Sequence, residues 1–145
     1  MISPTSNRPV GSKLPKPNSV IVIPTSLKTD FFKKWCVFLR PICHLTDREI
    51  EIFSCFLQIR WELSKETTNP TLLDAAIMSE TVKERVMEKC NLTLPYFQVM
   101  MSTLRKKKVI LDTGINPKYI PNIRVDDNGI FQLLFLFKDT EPNGV

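Results

Sequence analysis

One histidine is all that 145 residues contain, and it stands beside a cysteine, in Cys43-His44. There is no Walker loop, no GxSxG nucleophile turn and no HExxH zinc helix. A lone His–Cys neighbour pair cannot face itself as base and nucleophile. The sequence therefore predicts a non-enzyme without cofactor or small-molecule substrate. Cys36, Cys43, Cys55 and Cys90 include no CxxC pair, so neither a zinc module nor a disulfide framework is expected. No apolar run approaches the roughly 18–20 residues that a membrane-spanning helix needs. The first residues, MISPTSNRPVGSKLPKPNS, lack an apolar signal-peptide segment, so the expectation is a chain made and kept in a reducing cytoplasm, without a membrane partner.

What is present is ordinary for a globular domain: 43% hydrophobic and 24% charged residues. The net charge of +5 is unevenly placed. Residues 1–40 hold seven Lys/Arg against Asp30 alone, whereas from Asp47 to Glu88 nine acids oppose five bases. The basic character belongs to the N-terminal part, and the body is near neutral.

Residues 1–19, with Pro4, Pro9, Pro15 and Pro17, read as an extended basic arm that contacts a partner through Arg8, Lys13 and Lys16. Val20, Ile21, Val22 and Ile23, closed by Pro24, read as a strand. Thr29 or Asp30 can cap a helix over FFKKWCVFLR that ends at Arg40-Pro41. These elements give an extension over 20–41, followed by a main domain over 42–138 and a tail over 139–145.

The main domain opens with LTDREIEIFSCFL, where Thr46 and Glu49 have capping-box spacing ahead of an apolar helix. A polar loop and a short helix over TLLDAAIM follow. Ser79 then caps ETVKERVMEK, and Thr93 caps a helix over 94–107 with Phe97, Met100, Met101 and Leu104 inward. A strand starts at VIL (109–111), a turn is expected at Asp126-Asp127-Asn128-Gly129, and a second strand at IFQLLFLF (130–137). The expected class is mainly α with a small β-sheet (α+β), in the order of a winged helix-turn-helix with an extended N-terminal arm.

In that architecture the 94–107 helix would offer Tyr96, Gln98 and Ser102 to bases. Arg105, Lys106, Lys107, Lys108, Lys118 and Arg124 would reach phosphates. Two features oppose that reading. The helix's first half carries no positive charge, and the supporting helices are acidic, whereas phosphate neutralisation supplies most of the affinity of such domains. The 130–137 run is apolar on both faces apart from Gln132, unlike a solvated wing. Its Phe131, Leu133, Phe135 and Phe137 predict strand contacts, within the chain or with a neighbour's 20–23 segment.

The stretch from LTDRE to FQLLFLF resembles winged helix-turn-helix domains, including phage and plasmid replication initiators whose wing carries an INPKYI-like run, here residues 115–120. Taken together, PTSLKTDFFKKWCVFLRPI, LTDREIEIFSCFL, FQVMMSTLRKKKVI, INPKYIPNI and FQLLFLF resemble a small protein of crAss-like tailed bacteriophages of gut Bacteroidales. That resemblance implies a phage origin, and a virion structural role as head–tail connector or ring subunit. The implied partners are copies of itself and other virion proteins, with double-stranded DNA as a further candidate. The implied location is the virion. A DNA-binding regulator or replication initiator of the phage is the alternative.

Overall fold

The computed structural model describes residues 20–143. Its centre is helix α2 (Asp47–Ser64), which is apolar on more than one side and has to be covered on all of them. Ile50, Ile52, Phe53, Phe56, Leu57 and Ile59 are all buried. Helices α1 (Phe31–Cys43), α3 (Pro70–Ile77) and α4 (Glu80–Lys89) pack on it, and α5 (Leu94–Lys106) adds Phe97, Met100, Met101 and Leu104 to the same core. Among the described residues the architecture is five helices with one small antiparallel sheet. No helix among the described residues is long and apolar enough to cross a membrane.

Local chemistry sets the helix starts. Thr46 and Glu49 form the full capping box: the Glu49 amide donates to Thr46 Oγ1 (3.2 Å), and the Thr46 amide donates to Glu49 Oε1 (2.8 Å). Asn69 caps α3, with Pro70 in its first turn. Ser79 caps α4 and Thr93 caps α5.

Helix α1 departs from expectation at both ends. Asp30 is the N-cap residue but its carboxylate does not cap the helix. It turns back, accepting from the Ser26 amide (2.7 Å) and the Thr25 hydroxyl (2.8 Å). At the other end the helix runs through Pro41 to Cys43 and stops at His44, which adopts a left-handed conformation (φ 57°). Proline forfeits its bond to the carbonyl of Val37, but Val37 and Pro41 lie on the exposed side, while Leu39 and Cys43 continue the buried stripe. A domain boundary at residue 41 therefore falls inside one helix.

The sheet is a tight hairpin. Strand β1 (Ile110–Leu111) pairs with β2 (Gly114–Ile115) through a turn at Asp112 and Thr113, with Ile110 opposite Ile115. Gly114 lies against α3, where a Cβ would stand 2.6 Å from Asp74 Oδ1. A short 3-10 turn (Pro117–Tyr119) follows, and beyond it no further helix or strand forms up to residue 143.

The two other expected strands, 20–24 and 130–137, do not form. Extended apolar sequence needs a cover on one face, and in 130–137 a helix supplies it. Phe131 stacks edge-on against Phe31 (5.1 Å between centroids), and Phe135 lies against Trp35 (5.8 Å) and Phe38 (5.7 Å). The turn before it does form: Asp126 Oδ1 accepts from the amides of Asn128 and Ile130.

Candidate nucleic-acid and strand-contact surfaces

The outer face of α5 carries Tyr96, Gln98 and Ser102, all exposed, together with Val99. Tyr96 is not a free reader. The Arg48 guanidinium stands 5.9 Å from its ring centroid while also bonding Glu51 (2.5 Å) and the Cys90 carbonyl (2.7 Å). Arg48 thus ties the start of α2 to the turn between α4 and α5, using charge-assisted bonds.

The basic cluster after α5 separates into two roles. Arg105, Lys106 and Lys108 point outward, and Lys108 takes a left-handed backbone (φ 65°) just past the helix end. Lys107 turns inward. Its ammonium reaches the Glu49 carboxylate (2.5 Å) and the His44 carbonyl (2.7 Å). Glu49 is only 2% exposed, the one charged residue in the core of the described chain. Burial pushes its carboxyl up, but Lys107, the Thr46 amide and the Thr103 hydroxyl together outweigh this and hold it below the ordinary range. Lys107, expected on phosphates, is thereby engaged in the fold.

Lys118 and Arg124 are exposed in the segment after the hairpin, with the Lys118 ammonium 5.7 Å from the Tyr119 ring centroid. They and the outward cluster of Arg105, Lys106 and Lys108 are carried by separate stretches of chain. No protein-family model, curated protein or solved structure matches the chain.

The second surface is apolar. Along 131–137 the odd positions Phe131, Leu133 and Phe135 turn towards α1 and the core, while Leu134 and Leu136 turn out. This is the two-residue alternation of a β-strand without a sheet. Phe137 is 97% exposed and Ile21 85%. Among the described residues, no backbone–backbone hydrogen bond joins 20–23 or 131–137 to another segment. On α1, Val37, Phe38 and Ile42 add exposed apolar surface. The expected arm 1–19, with Arg8, Lys13 and Lys16, lies outside the described residues.

Among the described residues, no group of three or more His, Cys, Asp or Glu side chains is arranged to hold a metal ion. One juxtaposition carries no sequence signal. Cys55, inside α2, and Cys90, just past the end of α4, line the same cavity, and the Cys90 thiol donates to the carbonyl of Glu51 (3.8 Å), one helical turn before Cys55. Cys55 lies in apolar helical sequence, where a packed thiol is the ordinary outcome, and Cys90 is the C-cap after the charged helix α4, so spacing gives no signal.

Proposed function

We propose that this is a non-catalytic structural protein of a tailed phage, a connector or ring subunit on a winged-helix-like scaffold, assembling through extended-strand contacts. The observation that carries this reading is the 131–137 segment. It touches α1 through Phe131 and Phe135, exposes Leu134 and Leu136, and makes no main-chain hydrogen bond to another segment. Such an unpaired edge takes up a further strand, since main-chain bonds supply affinity and alternate side chains supply register. The 20–23 segment is likewise apolar, exposed and without main-chain pairing. Where each subunit gives a strand to one neighbour and receives one from another the contact is heterologous, and a rotation that closes makes a ring. The order α2, α3, α4, α5, β1, β2 supports the winged-helix comparison, although its hairpin is short and the long return strand is absent.

A DNA-binding regulator or initiator is the second reading, favoured by the outward Arg105, Lys106 and Lys108 at the end of α5. With Lys107 engaged by Glu49, that cluster has three outward cations. This is few for a domain whose affinity depends on neutralising many phosphates. Mass spectrometry of washed phage particles discriminates the two. Stoichiometric abundance in the particle is expected, and presence only in infected cells would favour the regulator.

A further inference from the structure

Cys55 and Cys90 line one open cavity of about 280 Å³ between α1, α2 and the end of α4. Cys90 Sγ stands 3.8 Å from the Glu51 carbonyl, one helical turn before Cys55. The neighbouring Cys55 thiol holds the Cys90 thiol below its ordinary range, against burial and the Glu51 carboxylate, with Arg48 and Lys33 assisting. Cys90 in turn pushes the Cys55 thiol up. The two thiols are thus unequal, with Cys90 the more readily ionised, as in dithiols that exchange with disulfides. Lys28, Lys33 and Lys89 also line the cavity, and Glu51, the one acid among its lining residues, is paired with Arg48. Cys90 keeps 8% exposure and Cys55 is half-buried, whereas Cys36 is 0% exposed and burial pushes its thiol up.

We infer that Cys55 and Cys90 form a redox-active dithiol site that takes a small anionic disulfide, such as glutathione disulfide, through this lysine-lined cavity. The Cys90 thiolate attacks one sulfur of the disulfide, forming a mixed disulfide and releasing one small-molecule thiolate. Cys55 then gives up its proton and attacks Cys90 Sγ, expelling the second thiolate. Two protein thiols are oxidised to one Cys55–Cys90 disulfide, and one small disulfide is reduced to two thiols. The product clamps α2 to the turn that carries α5. This inference is independent of the assembly reading above.

The test uses the full reduced chain with glutathione disulfide at neutral pH, mapped by non-reducing peptide mass spectrometry, with circular dichroism reporting the fold. A Cys55–Cys90 cross-link is expected while Cys36 and Cys43 stay reduced. In Cys55→Ser, glutathione is expected to remain trapped on Cys90. Lys33→Glu with Lys89→Glu should slow the reaction about tenfold at low salt, a difference that vanishes at high salt. Reaction only after unfolding in urea would overturn the site. So would a wild-type chain that stalls at the mixed disulfide without closing. A charge-reversed variant reacting at the wild-type rate would overturn the role of the lysines.

Discussion

The ammonium of Lys107, one residue past the end of α5, rests on the carboxylate of Glu49, the third residue of α2. One side chain thus completes the capping box at the start of one helix and anchors the end of another. The same ammonium bonds the carbonyl of His44, where α1 ends, so three helix termini meet on a single charge.

Removing that charge strands a buried carboxylate. Lys107→Met should destabilise the fold by about 2–4 kcal/mol, measured by urea unfolding, because an unpaired buried charge costs far more than a lost surface pair. Lys106→Ala, one residue away and exposed, should change stability by less than about 0.5 kcal/mol. Adding Glu49→Gln to Lys107→Met should recover part of the loss, since the amide keeps an acceptor for Thr46 without the charge.

The pH dependence follows from Asp30. The Ser26 amide first, then the Thr25 hydroxyl and Lys34, lower its carboxyl from 3.8 to about 2. A carboxyl depressed in the folded state stabilises it above its unfolded value, and that contribution is lost as pH falls from 3.8 towards 2. Asp30→Asn should flatten the wild-type loss of stability across this window, followed by acid titration of the helical circular dichroism signal.

Gly114 is fixed by close approach. A Cβ there meets Asp74 Oδ1 at 2.6 Å and Asp74 Cβ at 3.0 Å. Gly114→Ala should lower stability by about 1–3 kcal/mol, the usual range for overpacking. Asp74→Ala in the same chain should restore part of it by removing the carboxylate. Paired thermal melts measure both.

The extended segment should be held by its aromatic contacts. Trp35 Nε1 donates to the Tyr119 carbonyl (2.8 Å), and Trp35 also receives Phe135. Trp35→Ala should release the chain beyond Tyr119, with tryptic cleavage after Arg124 and Lys138 rising several-fold over wild type.

Helices α2, α4 and α5 were legible because their signals are local: Thr46 with Glu49, Ser79 and Thr93 each stand beside the run they cap. Pro41 misled because the rule for the residue before proline carries no knowledge of a buried stripe that continues to Cys43. In 130–137 a run apolar on both faces predicts a strand covered on both or continued by another strand, whereas no strand forms and α1 meets only Phe131 and Phe135. Whether a strand or a helix covers it is decided by α1, which is far away in sequence. Lys107 could not be told from Arg105, Lys106 and Lys108, because only the distant Glu49 singles it out. The Cys55–Cys90 contact was hidden for the same reason.

The central claim is that the bare edge of 131–137 is an assembly edge for strands of neighbouring copies. Sedimentation velocity of the full chain across a concentration series tests it most directly, comparing wild type with Leu134→Asp combined with Leu136→Asp. Both positions face away from the core, so the fold should survive the change. A wild-type chain forming a discrete oligomer that the double variant reduces to monomer is the predicted result. A wild-type chain that stays monomeric at every concentration, or an oligomer indifferent to the two aspartates, would contradict it.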